Sequence, residues 1–387
     1  MAVSQASGTA EGLAEAVMWL PILIIAPLLW RWLMAMILRA ALLVMAKAWR
    51  ARAATKKDRR VSESASATAL GCCAFRAFGN ACGICNDSFA WNFLDRLTRT
   101  YVSMGVLFFR LTRRWPPDVP DLPIHLARTL FFDRHVFDAI RKGGKSSIRQ
   151  LVILAAGYDT RSYRALRVWE TRAPLDASAG RQLRVWEVDA PSTQCSKVAA
   201  LARCEGNFRS DHTNGRITHV PADFEDVDVC WLEALQRSGL VVTGGSASTV
   251  LTLEGILHYL QPKTVDRLLQ RIATLKGATV LIHINDHALR PAGSEEAQRR
   301  LLQVGEVQLF GVKKGGYEQW LRPYGIVIDG SIVGDREMHQ FLTASDDEKM
   351  KPVSTWTQGI THAYLKCRVV GVVGGSGALC ERELLNG

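Results

Sequence analysis

Apolar and polar positions along the chain change rhythm twice, and the changes divide the sequence into three parts. Between residues 16 and 46 the run AVMWLPILIIAPLLWRWLMAMILRAALLVMA is interrupted only by Pro21, Pro27, Arg31 and Arg39. A membrane span needs about 20 largely apolar residues, so this segment predicts a hydrophobic helix. From 64 to 145 apolar residues recur every three or four positions, the spacing of amphipathic helices. SATALGCCAFRAFGNACGI comes first. NDSFAWNFLDRLTRTYVSMGVLFFRLTRR follows, opened by an Asn/Asp/Ser cap. After the break at Trp115-Pro116-Pro117 comes HLARTLFFDRHVFDAIRKGG, closed by Gly143-Gly144.

Beyond residue 146 short apolar runs alternate with amphipathic stretches. The runs are Gln150–Ala155, Arg184–Asp189, Ile217–Pro221, Thr249–Leu253 and Thr279–Ile284. Between them lie PSTQCSKVAALARC, DVCWLEALQRSG and PKTVDRLLQRIATLKG, which predict helices. Strands alternating with helices mean βαβ units and a parallel sheet covered on both faces. EQWLRPYG, IVI and THAYLKCRVVGVV then add a helix, a strand and a final long strand. The prediction is a doubly wound, mostly parallel, seven-stranded α/β sheet with an N-terminal helical cap and an N-terminal hydrophobic helix. The organisation expected is a disordered N-terminus over 1–15, a membrane-anchor or targeting helix over 16–46, a basic linker over 47–63, a cap and substrate region over 64–145, the sheet domain over 146–374 and a flexible tail over 375–387. Residues 330–360 carry little signal.

Charge sharpens the reading of the N-terminus. The chain carries a net +11, and residues 1–60 hold nine Lys/Arg against three Asp/Glu, so more than half of the excess lies there. That points to an anionic membrane face or a targeting role rather than a nucleic-acid groove. The basic residues, Lys47 to Arg60, follow the apolar run, while Glu11 and Glu15 precede it. A single span would therefore keep its C-terminal flank, and the folded domain, in the cytoplasm. A helix lying in the interface, an organelle-targeting segment and a helix packed on protein are the alternatives. The nine cysteines, Cys72, Cys73, Cys82, Cys85, Cys195, Cys204, Cys230, Cys367 and Cys380, form no scaffold pattern. They read as reduced thiols, and the adjacent Cys72 and Cys73 do not make the two spaced pairs of a zinc knuckle.

In doubly wound sheets ligands bind at the carboxyl ends of the strands, near the point where strand order reverses. The segments following the first four strands are therefore the candidate site: Ala155-Ala156-Gly157-Tyr158-Asp159, Asp189, Asp223-Phe224 and Glu254-Gly255. Three strands ending in acids suit a ligand with ribose hydroxyls, an adenine amine and an ammonium group, all of which donate to carboxylates. The turn holds a single Gly157 in place of a glycine cluster, which argues against a pyrophosphate cradle. A phosphate-free cofactor fits better, which favours S-adenosylmethionine over NAD. Asp159 reads as the cap of the following helix, and His258 and His283 as packing residues.

The helical start SATALGCCAFRAFGNA…NDSFAWNFL and the blocks ARTLFFDRHVFDA, RQLVILAAGYDTRSYRAL, VWEVDAPSTQCSKVAAL, VPADFED and LTLEGILHYLQPKTVDRLL, in that order over about residues 64–290, resemble the leucine carboxyl methyltransferase-like family. This is a branch of class I S-adenosylmethionine-dependent methyltransferases with many bacterial members of unknown substrate. The resemblance implies a Rossmann-like methyltransferase sheet over 146–374. It implies S-adenosyl-L-methionine as cofactor and S-adenosyl-L-homocysteine as product. Arg128 would meet the cofactor carboxylate, Gly157 the methionine moiety, Asp189 the ribose, Asp223 and Phe224 the adenine, and Glu254 the amino end or the substrate. Arg161 and Arg164 would fix the turn and helix start. No convincing general base is visible, and Glu254 and Tyr259 remain as catalytic candidates. The acceptor implied is a carboxylate or hydroxyl of a small molecule, a lipid or a peptide C-terminus, with no nucleic acid and no metal involved. A non-catalytic, membrane-tethered binding protein and an NAD-dependent oxidoreductase are the rival readings.

Overall fold

In the computed structural model, residues 25–44, 67–116, 119, 122–142, 148–172, 182–202, 215–242, 248–289, 308–343 and 361–371 are described. Expectations for 1–15, 47–63 and 375–387, and for the start of the hydrophobic segment, lie outside them.

The sheet grows from runs that are apolar on both faces. Strands β1 (Gln150–Leu154) and β4 (Thr249–Leu253) are buried at every position. Strands β2 (Arg184–Asp189) and β3 (Ile217–Pro221) pair in parallel on one side of β1, and β5 (Thr279–Asn285) pairs in parallel with β4 on the other. β6 (Ile326–Val333) and β7 (His362–Val369) complete the order β3-β2-β1-β4-β5-β7-β6, with β7 antiparallel to both neighbours. The seven-stranded, mostly parallel doubly wound sheet is thus as expected. Its sides alternate with the pleat: Leu151 and Ile153 face one apolar cluster, Val152 and Leu154 the other.

The first cluster lies beneath α2 (Ala67–Ala81), α3 (Arg96–Thr112) and α4 (Leu122–Arg141), with α5 (Arg161–Arg172) and α6 (Pro191–Ala202) alongside. The second is covered by α7 (Trp231–Arg237), α8 (Pro262–Ala273) and α9 (Tyr317–Leu321). α8 begins with proline, which needs no N–H partner there. Glu225 accepts from Gln261 N and Thr264 Oγ1, both at 2.7 Å, and fastens that helix start.

Several boundaries differ from the sequence reading. Asn86–Ser88 do not cap α3. Asp87 is buried, bonded to Arg76, and the chain makes a short 3-10 turn (Ala90–Phe93) before Asp95 caps α3 by accepting from Thr98 N at 2.8 Å. The first strand stops at Leu154 because Ala155 turns into the left-handed region (φ 55°). β6 runs to eight residues and continues into α10 (Gly334–Thr343), inside the stretch that carried no signal. Its solvent-exposed middle hides the alternation expected of a half-buried strand. The hydrophobic helix, α1, spans Ile25–Val44 and is the one described helix long and apolar enough to cross a membrane.

Candidate functional site

Strand order reverses between β1 and β4, and because β1 to β4 run parallel their following turns share one edge of the sheet, where such folds place a ligand crevice. The β1 turn is tight. Ala156 N donates to Val188 O at 3.1 Å, and Gly157 N donates to Asp189 Oδ2 at 2.5 Å. Gly157 has φ 43°, and a Cβ there would lie 3.0 Å from Ala69 Cβ on α2. Glycine removes both the left-handed penalty and the crowding.

Asp189 accepts a second backbone bond, from Ala190 N at 2.7 Å. Burial pushes its carboxyl up to about 6 although both N–H bonds oppose this. Beside it, Asp223 Oδ1 accepts from Glu225 N at 3.0 Å and shapes the β3 turn. The Phe224 ring lies edge-on to Trp231 at 6.4 Å.

Glu254, at the end of β4, is held by two guanidinium groups. Arg128 Nε donates to its Oε1 and Arg161 Nη2 to its Oε2, each at 2.9 Å. Arg128 Nη2 also reaches Cys72 Sγ on α2 at 3.1 Å. Gly255 follows with φ 73°, and a Cβ there would come within 3.2 Å of Arg128 Nη1. Gly255→Ala is therefore expected to strain the turn by about 1–2 kcal/mol and to displace Arg128 from Glu254. Thermal unfolding and a crystal structure of the variant would check both; an unmoved guanidinium would contradict the expectation.

Arg161 and Arg164 do more than fix the helix start. Arg161 is fully buried, and besides Glu254 it binds Asp133 Oδ1 at 2.8 Å and Asp159 Oδ2 at 2.5 Å. Arg164 is bidentate to Asp133 and lies near Asp87, which also pairs with Arg76 at 3.0 Å. Arg76 Nη2 donates to Tyr158 O in the β1 turn at 2.6 Å. Lys197 donates to Asp159 O at 2.5 Å and pairs with Glu187 at 2.7 Å, while Ser162 and His219 approach the same carboxylate. Arg76, Arg128, Arg161, Arg164 and Lys197 thus face Asp87, Asp133, Asp159, Glu187 and Glu254, five charges of each sign. The balance removes the net charge that would make such burial prohibitive. Burial raises the Asp159 carboxyl, but Arg161, Arg76, Arg164 and Lys197 outweigh it and hold it at about 2. Asp159 also caps α5, as expected, by accepting from Arg161 N at 2.7 Å.

Hydrogen bonds join the strand-end segments: Gly157 N and Ala222 N donate to Asp189, Arg161 links Asp159 to Glu254, and Arg128 meets Glu254. Arg76, Asp87, Asp133, Glu187 and Lys197 were missed. Glu187 alone left a local signal, a carboxylate inside an apolar strand. Tyr259, half-buried in the short turn after β4, packs on His258 with ring centroids 4.2 Å apart. His283 is buried, with its Nε2 3.1 Å from His362 Nδ1, and the His258 ring lies 5.4 Å away. Burial, with nearby Arg128 and the other imidazoles, holds His283 well below its usual range, hence neutral at pH 7. The α2-region cysteines point to different partners: Cys72 to Arg128, Cys73 to Ala90 O and Cys85 to Arg76 O.

The family model described as leucine carboxyl methyltransferase matches residues 69–273, more than half of the chain. A protein of Mycobacterium avium (strain 104) named "Putative S-adenosyl-L-methionine-dependent methyltransferase" is 33% identical over 228 residues, covering 55% of this chain and 61% of that protein. A second protein of the same strain and name is 31% identical over 266 residues, covering 63% of this chain and 73% of that protein. The chain spans 49–61% of the length of the first three curated relatives it matches. Among solved structures, a DUF574 family protein from Streptomyces avermitilis superposes with a TM-score of 0.44 at 17% identity, over 80% of this chain and 99% of that one.

Proposed function

The chain belongs to the leucine carboxyl methyltransferase family, and on that premise we propose that it is an S-adenosyl-L-methionine-dependent O-methyltransferase. The acceptor is a carboxylate or hydroxyl on a small molecule, a lipid or a peptide C-terminus. The observation that carries this reading is the donor and acceptor set around the β1–β4 crevice. Asp189, Asp223 and Glu254 close three strand ends, and the single-glycine turn offers its backbone without a phosphate cradle.

These residues fit the cofactor chemically. Asp189 keeps lone pairs for the ribose hydroxyls beyond the two it gives to Gly157 and Ala190. Asp223 and Phe224 border the adenine. Arg128, with Nε engaged by Glu254 and Nη2 by Cys72, offers its guanidinium charge to the cofactor carboxylate. Glu254, fixed by two arginines, keeps acceptor sites for an ammonium group. When bound, the cofactor supplies a methyl group already activated on a sulfonium. The protein's task is then alignment and exclusion of water, and α2 lies against the β1 turn through Ala69 and Arg76. A carboxylate acceptor is ionised at pH 7 and needs no base; a hydroxyl does. Glu254 is tied into ion pairs on both oxygens, which favours a role in positioning over proton transfer. We further infer association with a membrane through residues 16–46, with the catalytic domain on the cytoplasmic side; organelle targeting is the alternative.

Calorimetric titration of the full chain with S-adenosylmethionine, S-adenosylhomocysteine and NAD tests the reading. Micromolar binding of the first two and none of the third is the expected result. A folded protein that ignores both adenosyl ligands would overturn it.

A further inference from the structure

The hydrophobic helix is fastened along one side, and this bears on how it meets a bilayer. Leu38 and Leu42 of α1 are buried against Phe108 of α3, with Tyr101, Met104 and Leu111 beside them. Arg31 Nε donates to Leu111 O at 2.6 Å. Arg31 therefore meets the end of α3 while Leu42 packs eleven residues further along α1, so the clasp runs over about three turns. α3 is itself anchored, since its Val102, Val106 and Phe109 belong to the main core. Apart from the exposed Arg39, the rest of α1 is bare and apolar: Leu28, Leu29, Leu33, Met36 and Ile37 are exposed, as are Trp30 (65%) and Trp32 (63%).

A span would use about 20 residues, the full length of α1. It would have to strip Leu38 and Leu42 from α3, uncover Phe108 and leave Arg31 without its carbonyl partner. An in-plane helix keeps all of these contacts. In such a helix the face turned from the lipid is normally polar and meets water; in α1 that face is apolar, and α3 of the folded domain covers it at Leu38 and Leu42.

The surroundings supply the matching charge. α3 and its C-cap bring Arg96, Arg99, Arg110, Arg113 and Arg114, and residues 96–114 contain no acid. α1 itself adds Arg31 and Arg39 and no acid. An apolar band with exposed tryptophans, flanked by arginines, matches the acyl boundary and the phosphates of an anionic leaflet.

We propose that α1 and α3 form a monotopic docking face for an anionic lipid surface, with α1 lying in the membrane plane. The inference rests on the membrane association proposed above and is independent of methyl transfer. Because α2, which packs on α3, carries Arg76 and Cys72 of the crevice, docking would bring the cap against the headgroups.

Two measurements on the full chain decide it. In co-sedimentation with phosphatidylcholine vesicles, binding should need added phosphatidylglycerol and weaken with salt. Arg113→Glu combined with Arg114→Glu, both exposed, should lower that binding by about tenfold or more. Indifference to lipid charge, or self-association through α1 without vesicle binding, would overturn the proposal, and absence of vesicle binding would also overturn the association itself. In sealed membranes from expressing cells, an N-terminal epitope tag should be digested from the same side as the C-terminal domain. Protection of the tag while the domain is digested would show a span, overturning the in-plane geometry and leaving the association standing.

Discussion

Replacing Arg161 by methionine is expected to destabilise the protein by about 3–5 kcal/mol, the range for breaking a buried ion pair from one side. Arg161 has no exposed surface and satisfies Asp133, Asp159 and Glu254 at once. Methionine matches the aliphatic stem, so the loss is electrostatic rather than a cavity. Asp133 keeps Arg164 and Glu254 keeps Arg128, but the five-against-five balance becomes an uncompensated negative charge. Arg161→Lys should fall between, because an ammonium keeps the charge without the fork. Denaturant unfolding at pH 7 measures the difference, and a loss below about 1 kcal/mol would refute this account of the network. The pH dependence has a definite sign. Asp159 is depressed to about 2, so its contribution is complete above the unfolded carboxyl's pKa of about 4 and fades as pH falls through about 2.

Asp189→Ala is expected to leave the fold standing and to weaken S-adenosylmethionine binding about a hundredfold, the value of losing charge-assisted bonds to two ribose hydroxyls. Calorimetry checks it, and unchanged affinity would remove Asp189 from the cofactor site. The wild type should also show a pH signature. Its carboxyl is pushed up to about 6 by burial, and only the ionised form accepts from both hydroxyls. Affinity should therefore be flat above pH 7 and fall by up to about tenfold per pH unit below about 6. The variant should lack this dependence. For the apo protein the sign is opposite: a raised carboxyl favours the protonated fold, so this group's contribution to stability declines as pH rises from about 4 through about 6. Loss of binding on the acid side would thus not reflect unfolding caused by Asp189.

The first five strands were legible because each is a short apolar run closed by glycine or an acid, and each lies within one residue of its expected span. The strand-end positions of Asp189, Asp223 and Glu254 were legible for the same reason: a polar residue following an apolar strand marks its carboxyl end. The α3 cap was not. Asn86-Asp87-Ser88 has the chemistry of a cap, but Asp87 is drawn inward by Arg76, a contact that local pattern does not encode. The Arg128–Glu254 pair joins residues 126 apart, and Lys197–Glu187 joins a helix to a strand through an interior with no periodic signature. α10 escaped notice because β6 before it is largely exposed and the chain beyond it is poor in apolar spacing.

The charged network also bears on the order in which the molecule is made. Arg76, Asp87, Asp133 and Arg161 all precede Glu254 along the chain and leave the ribosome before it. Until then Arg128 has no carboxylate from β4 to meet. A nascent chain consequently carries Arg128 and Arg161 partly unmatched until the fourth strand is made and Glu254 completes their ion pairs.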